Sequence, residues 1–313
     1  MKRAFVFPGQ GSQTPGMGQA LAAAFPVARQ LFEEVDEALS QHLSRLMFEG
    51  PEAELMLTEN AQPALLAASL AVIRVLEREA EFDIAREAAY VAGHSLGEYS
   101  ALAAAGALPV AVAARLVKRR GQAMQKAVPV GEGAMAALLG LEIEAARAVA
   151  EAAAQDQVCD LANDNSPGQI VVSGHKGAVE RAVGLAAKQG ARRAIMLPVS
   201  APFHCSLMRP AADIMTEALA ETALAPPRVP LVANVSAAAT SDPAQIKDQL
   251  IEQTTQMVRW RESVLLFAVN EVEEIVEIGA GRVLAGLVKR IDRTLSALSV
   301  GTPADIEALV QTL

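Results

Sequence analysis

Short apolar runs of strand length alternate along the chain with longer stretches whose apolar residues recur at helical spacing. The runs RAFVF and AYVAG fit buried strands, whereas VARQLFEEVDEALSQHL and PALLAASLAVIRVLERE fit amphipathic helices. This alternation is typical of a parallel sheet covered by helices on both faces. The sheet is predicted to resume late in the chain, with strands near 229–235, 273–279 and 295–301.

The middle of the chain follows a different order of elements. Between residues 129 and 197 the pattern reads strand, helix, strand, strand, helix, strand, which is the order of a ferredoxin-like unit. We therefore predict an α/β protein with two parts. A large α/β-hydrolase-like domain with a parallel sheet comprises residues 1–128 and 198–313, and a small ferredoxin-like subdomain, residues 129–197, is inserted into it.

Composition and charge narrow the class of protein. The longest apolar stretch, Ala101 to Ala114, contains Pro109 and is shorter than the roughly 20 residues of a membrane helix. No export signal is recognised, and two distant cysteines make no disulfide framework, so we expect a cytoplasmic protein. A net charge of -9 argues against nucleic acid or an anionic membrane as partner. Basic clusters at 115–120, 192–193 and 289–290 fit solvated faces or, less often, a docking patch for an acidic partner.

The glycine-rich stretch FVFPGQGSQTPGMG, residues 5–18, invites comparison with phosphate-binding loops. A dinucleotide fingerprint requires a third glycine where Thr14 stands. A P-loop requires lysine where Met17 stands. The remaining interpretation is a turn between strand and helix whose backbone N–H groups can stabilise negative charge.

A stronger signal is YVAGHSLGEYSAL, residues 90–102. Gly93, Ser95 and Gly97 form G-x-S-x-G between a predicted strand and a predicted helix, which is the context of a nucleophile elbow. In such a turn the serine is the nucleophile, and the N–H of the next residue, Leu96, faces the developing oxyanion.

A nucleophilic serine needs a base, and the chain has four histidines. His94 adjoins the serine, so its side chain is expected to point elsewhere. His42 is predicted in an amphipathic helix and His175 in a turn, both as surface residues. Elimination leaves His204, in PVSAPFHCSLM. No aspartate or glutamate follows a core strand convincingly, so the third member of the triad stays open and need not be a carboxylate.

Five motifs together give the chain a family resemblance. In order and spacing they resemble those of malonyl-CoA:acyl carrier protein transacylases, over nearly the whole chain: FPGQGSQ, GHSLGEYSAL, LVKRRGQAMQ, NSPGQIVVSG and PFHCSLM. The resemblance implies that malonyl moves from coenzyme A to a serine ester and then to the phosphopantetheine thiol of acyl carrier protein. No metal and no cofactor are expected, because coenzyme A enters as part of the substrate.

The resemblance also implies roles for individual residues. Ser95 is the nucleophile and His204 the base, with an oxyanion hole formed by the N–H groups of Gln10 and Leu96. Arg120 pairs with the free carboxylate of malonate, for which a planar guanidinium is suited.

Three further residues complete the implied site. The backbone carbonyl of Gln253 orients the histidine in place of a carboxylate. His94 packs beside the nucleophile in the substrate site. Phe203, just before the histidine, resembles the residue that accompanies malonyl in related polyketide enzymes, where serine accompanies methylmalonyl.

Several alternatives remain open from the sequence. They include a serine thioesterase, a discrete acyltransferase of polyketide synthesis or malonate decarboxylation, and a silent domain that docks carrier protein. We expect a monomer that functions in fatty-acid biosynthesis. Docking of the acidic carrier protein through Lys118, Arg119 or residues 192–193 is a further hypothesis.

Overall fold

The computed structural model describes all 313 residues and contains two β-sheets. The strands are β1 Arg3–Phe7, β2 Ala88–Gly93, β3 Gly133–Leu139, β4 Cys159–Ser166, β5 Gln169–His175, β6 Arg193–Met196, β7 Leu231–Val232, β8 Ala239–Thr240, β9 Glu274–Ile278 and β10 Ser296–Val300.

The larger sheet has six strands in the order β10-β9-β1-β2-β7-β8. Every pairing within it is parallel except that of β7 with β8. Strands β1 and β2 are in register at their carboxyl ends, where Phe7 pairs with Gly93. The glycine-rich loop and the proposed elbow therefore leave the sheet side by side.

The smaller sheet has four antiparallel strands in the order β4-β5-β3-β6. Together with its two helices it has the β-α-β-β-α-β order that the sequence predicts, and the α/β fold class with a parallel-containing sheet and a separate small sheet is confirmed. The boundaries of the inserted unit, 129 and 197, lie just outside this sheet and remain a prediction.

Helices cover both sheets and follow the strands in the chain. They are α1 Gln19–Ala24, α2 Pro26–Leu39, α3 Leu43–Glu49, α4 Glu52–Leu55, α5 Thr58–Glu79, α6 Ile84–Glu87, α7 Gly97–Ala104, α8 Val110–Ala127, α9 Ile143–Ala154, α10 Lys176–Lys188, α11 Arg209–Ala220, α12 Pro243–Gln253, α13 Trp260–Val269, α14 Val283–Ile291 and α15 Pro303–Val310. A short 3-10 turn spans Ser206–Met208. Among these helices, none combines the length and apolar character that crossing a bilayer would require.

One local prediction is confirmed only in shortened form, and another is wrong. The strand predicted near 229–235 is reduced to Leu231–Val232, since Pro230 has no N–H to donate and Asn234 turns its side chain to the site. His42 is not within a helix, because the chain turns between α2 and α3 and His42 immediately precedes α3.

Apolar packing places the small sheet over one side of the large domain. A buried cluster joins Met135 and Ala137 of β3 to Met124 of α8 and to Phe203. A backbone bridge from Asn163, at the edge of the small sheet, to Val258 ties the same two parts together. A cleft of about 420 Å³ lies between them, and Ser95 is in its lining.

Candidate active site

Ser95 lies in the sharp turn between β2 and α7. Its φ angle is 55°, in the left-handed region that L residues rarely adopt. A Cβ on Gly93 would overlap the backbone of Gly97, and one on Gly97 would overlap the carbonyl of Phe7. The two glycines therefore allow the strand, the turn and the helix to come together, as a nucleophile elbow requires.

His204 is placed against the serine from the far side of the cleft. Its Nε2 lies 2.8 Å from the Ser95 Oγ, and its Nδ1 lies 2.7 Å from the backbone carbonyl of Gln253. A carbonyl can only accept, so Nδ1 carries the proton and Nε2 is free to accept one from the serine. His204 also has a positive φ, 58°, in the conformation that directs its ring toward Ser95.

Electrostatics keep this histidine neutral. Burial, and then the charge of Arg120, lower the pKa of His204 to about 3. The imidazole is therefore an unprotonated base near neutral pH. Burial also lowers the pKa of His94, whose Nε2 lies 2.8 Å from the Asn165 Oδ1 on the lining of the cleft.

Arg120 on α8 is buried, with 1% of its surface exposed, and it faces the serine. Its Nη2 donates to the Ser95 Oγ at 3.2 Å and to the Gln253 Oε1 at 2.7 Å, and its Nη1 donates to the Gln62 Oε1 at 2.8 Å. Its Nε has no partner. Burial lowers the pKa of this guanidinium. The alternative of a solvated surface arginine is wrong for Arg120.

Two backbone N–H groups remain without a protein acceptor beside the nucleophile. They belong to Gln10, in the glycine-rich loop, and to Leu96, directly after the serine, and both residues line the cleft. The Gln10 side chain is held away by the Thr58 hydroxyl, which donates to its Oε1 at 2.8 Å. The arrangement suits an oxyanion bound between the two loops.

The structure thus brings all the predicted site residues to one cleft or its immediate wall. Phe203, 8% exposed, lines the same cavity. His175 does not belong to it, and the prediction of a surface turn was wrong because His175 ends β5, half-buried, and its Nδ1 accepts the N–H of Val158. No cluster of three or more His, Cys, Asp or Glu side chains is placed to hold a metal ion.

Sequence reasoning missed four polar residues that surround the site. Gln62 holds Arg120, Asn165 holds His94, and the buried pair Glu98 and Asn234 lies behind the serine. The Asn234 Oδ1 accepts the Ser95 N–H at 2.8 Å, and its Nδ2 donates to the Gly93 carbonyl at 2.7 Å. Polar residues on otherwise apolar elements were the available signal, since buried polar groups need partners.

An elbow serine, a neutral histidine and an oxyanion pocket together define a serine acyl-transfer site. The acyl transferase domain family matches residues 4–302, and the chain belongs to this family.

Individual relatives are more specific. The malonyl CoA-acyl carrier protein transacylase of Bacillus subtilis strain 168 is 49% identical over 313 residues, covering 100% of this chain and 97% of the relative. That of Escherichia coli K12 is 46% identical over 308 residues, covering 98% of each.

Solved structures agree with the relatives. The acyl-carrier-protein-S-malonyltransferase of Bartonella henselae superposes with a TM-score of 0.97 at 52% identity, covering 100% of this chain and 99% of that one. A malonyl-transacylase in complex with a type II PKS acyl-carrier protein has a TM-score of 0.96 at 44% identity, covering 100% of both chains. The resemblance inferred from the five motifs is confirmed.

Proposed function

We propose that this protein transfers a malonyl group from malonyl-CoA to the phosphopantetheine thiol of acyl carrier protein, through an acyl ester on Ser95. The observation that carries the proposal is Arg120, a buried guanidinium with an unpartnered Nε beside the nucleophile. A buried cation held by neutral amides is costly unless an anion joins it. The free carboxylate of a malonyl group supplies that anion.

The first half-reaction follows from the geometry. With the carboxylate on Arg120, the thioester carbonyl meets the Ser95 Oγ, and His204 Nε2 takes the hydroxyl proton as the oxygen attacks. The N–H groups of Gln10 and Leu96 stabilise the negative oxygen of the tetrahedral intermediate. Collapse breaks the carbon–sulfur bond, and His204 returns the proton to the departing coenzyme A thiolate.

The second half-reaction reverses these steps with a different thiol. His204 accepts the proton of the phosphopantetheine thiol, whose sulfur attacks the ester carbonyl and displaces the Ser95 oxygen, which regains the proton. The carbonyl of Gln253 holds the imidazole in the required tautomer throughout. His94 and Phe203 contribute the wall of the acyl site.

Labelling tests this proposal directly. Incubation with radiolabelled malonyl-CoA should leave a covalent label on Ser95 and release coenzyme A in a burst, and carrier protein should discharge the label. Ser95→Ala should not be labelled, and a Ser95→Ala protein that still carries label contradicts the proposal. Free malonate released without carrier protein at the rate of transfer would instead indicate a thioesterase, and the absence of a burst would indicate a silent docking domain.

The pathway of the carrier protein is a separate part of the proposal. We assign the activity to fatty-acid biosynthesis, and the relative in complex with a type II PKS carrier makes polyketide synthesis the second candidate. Comparing kcat/KM for the two classes of carrier protein distinguishes them. We further propose a cytoplasmic monomer that needs no cofactor, nucleic acid or membrane. Light scattering on the purified protein tests whether it is a monomer, and transfer by the metal-free protein tests whether a cofactor is needed.

For docking of the acidic carrier, two basic clusters fit better than the third. Lys118 donates to the Gln41 and Asn60 side chains, and Arg119 lies within ion-pair distance of Glu217. The exposed pairs 192–193 and 289–290 instead lie at the start of β6 and in α14, near residues that line the cleft. Charge reversal in these pairs should raise KM for carrier protein and not for malonyl-CoA, with Arg119→Glu as the control.

A further inference from the structure

Behind the nucleophile lies a buried carboxyl group that the two half-reactions do not use. Glu98, in the first turn of α7, is 1% exposed. Its Oε1 accepts the backbone N–H of Asn234 at 2.9 Å, and its Oε2 accepts a hydrogen bond from the Gln253 Nε2. Both oxygens therefore accept from N–H donors, which is the arrangement that favours an ionised carboxylate.

The side chain of Gln253 connects this carboxyl to Arg120. Its Oε1 accepts from the Arg120 Nη2 at 2.7 Å, while its Nε2 donates to Glu98 and, at 2.9 Å, to the Ser95 carbonyl. The orientation of the amide is fixed, since a guanidinium can only donate and a backbone carbonyl can only accept. One neutral amide thus joins the buried anion to the buried cation of the substrate site.

Glu98 is also a group in this network whose pKa lies close to neutral pH. Burial raises the pKa of Glu98 to about 8, against the opposing effects of Asn234, Gln253 and the charge of Arg120. Of the other groups, burial raises the pKa of Tyr99 to about 12. Burial also lowers the pKa of His204, which lies beyond the Gln253 carbonyl, to about 3. Tyr99 and His204 therefore stay neutral while Glu98 changes charge.

We propose that ionised Glu98 is the internal counter-charge of Arg120, a positioning residue that acts through the Gln253 amide, and that this ionised form takes up a proton from solvent when a malonyl carboxylate pairs with Arg120. The inference rests on the proposed function, since it requires a malonyl carboxylate on Arg120. The charge balances, because the substrate brings one negative charge into the buried site and the proton neutralises another. When malonyl leaves on the carrier thiol, Glu98 returns the proton to solvent.

The sign of the effect follows from linkage. Binding of a second anion near Arg120 raises the pKa of Glu98 above its free value, so malonyl binding is accompanied by proton uptake. The uptake should be small near pH 7, reach roughly half a proton near pH 8, where free Glu98 is half-titrated, and grow further near pH 9. Affinity for malonyl-CoA should fall over the same range, by up to about tenfold per pH unit. An acetyl group brings no carboxylate and should cause no such uptake.

Calorimetry on Ser95→Ala, which holds the thioester without transferring the acyl group, measures this uptake. Malonyl-CoA and acetyl-CoA are each titrated at pH values of about 7, 8 and 9 in buffers of different ionisation enthalpy, so that the buffer dependence gives the number of protons. Protons of the coenzyme A moiety are common to both ligands and cancel. Uptake with malonyl-CoA alone, rising with pH, supports the proposal.

Variants then assign the proton to Glu98. Ser95→Ala/Glu98→Gln should lose the malonyl-specific uptake, and Ser95→Ala/Glu98→Asp, which keeps a carboxyl, should recover part of it. The matched control is Ser95→Ala/Glu277→Gln, since Glu277 is also fully buried but accepts the N–H groups of Leu284 and Ala285 at the start of α14. That control should keep the uptake.

Three results would overturn the inference: equal uptake for the two thioesters, no uptake in Ser95→Ala, or uptake that survives Glu98→Gln. The first two need no Glu98 variant and so do not depend on whether that variant folds. Failure of the proposed function is distinguishable, because the wild-type protein would then show no label on Ser95. Failure of the inference alone leaves that labelling intact.

Discussion

Arg120 and Arg261 both reach into the interior of this protein, but they meet opposite kinds of partner. Arg261 on α13 meets the fully buried carboxylate of Asp164 on β4, with its Nε 2.9 Å and its Nη2 2.8 Å from the same oxygen. Arg120 on α8 is more deeply buried but meets only the amide oxygens of Gln62 and Gln253 and the serine hydroxyl. One cation has a carboxylate partner in direct contact, and the other does not.

The difference separates a structural arginine from a binding one. Hydrogen bonding to Asp164 raises the pKa of Arg261, whereas burial lowers that of Arg120. Arg261 joins the edge of the small sheet to the large domain, and its charge is already balanced by Asp164. Arg120 is oriented by neutral groups and keeps donors for a carboxylate that comes from outside the chain, which bidentate pairing would hold.

The largest effect is expected from removing Arg120, the arginine that has no carboxylate partner within the chain. Arg120→Ala should lower kcat/KM for malonyl transfer about 100-fold to 1000-fold, with a much smaller effect on acetyl transfer, because only malonyl loses a buried ionic partner. Arg261→Ala is the matched control and should leave the malonyl-to-acetyl ratio unchanged. Equal losses for the two acyl groups in Arg120→Ala would contradict the carboxylate clamp.

Supplying Arg120 with a carboxylate in direct contact should make it resemble Arg261. Gln62→Glu places an anion where the Gln62 Oε1 now accepts from Nη1, so malonyl transfer should fall about 10-fold to 100-fold, chiefly through KM, while the thermal midpoint is kept or raised. Gln62→Met removes the acceptor without adding charge. A loss in Gln62→Met as large as in Gln62→Glu would show that charge is not the cause.

The reverse change makes Arg261 resemble Arg120. Asp164→Asn leaves this guanidinium without its carboxylate and should lower the free energy of unfolding by about 2 kcal/mol, less than for a fully buried pair because Arg261 is 24% exposed. Urea unfolding measures this loss, and Ser263→Ala on the same helix gives a reference. The ratio of malonyl to acetyl transfer should not move, and a change in that ratio would mean that Arg261 also selects the substrate.

The smallest effect is expected from changing the shape of the acyl site without changing its charge. Phe203→Ser keeps both arginines and enlarges the acyl site, so the preference for malonyl over methylmalonyl should fall about tenfold, the order of one methyl contact. Competition between the two thioesters measures the ratio. Phe267→Leu, at a buried residue that does not line the cleft, controls for a general loss of packing. An unchanged ratio would remove Phe203 from the selection of the acyl group.

The parts of the fold and of the site that the sequence predicts are those whose interactions leave a local pattern of residues along the chain. The alternation of apolar runs predicted both sheets because strands and helices have different periods. The elbow at Ser95 was predictable because flanking glycines and the strand-to-helix change are local. His204 was reached by elimination among four histidines, but its partner was not, because a backbone carbonyl such as that of Gln253 has no residue signature.

Arg120 shows the limit most clearly. Arg115, Lys118 and Arg119 stand on the same helix, and only the packing of α8 against the rest of the domain decides which basic side chain is buried. Without the resemblance to a family the residue could not have been singled out. Glu98 lay within the quoted elbow motif, yet its partners Asn234 and Gln253 are 136 and 155 residues away along the chain.

The left-handed backbone at Ser95 and His204 has a consequence for how this protein can change. Each position holds a side chain in a conformation that costs about 1 to 2 kcal/mol for a residue with a Cβ and almost nothing for glycine. Selection for stability alone would therefore favour glycine at the two positions where acyl transfer needs a hydroxyl and an imidazole. The hydroxyl and the imidazole that acyl transfer needs are therefore held at a cost in conformational free energy that glycine would not incur.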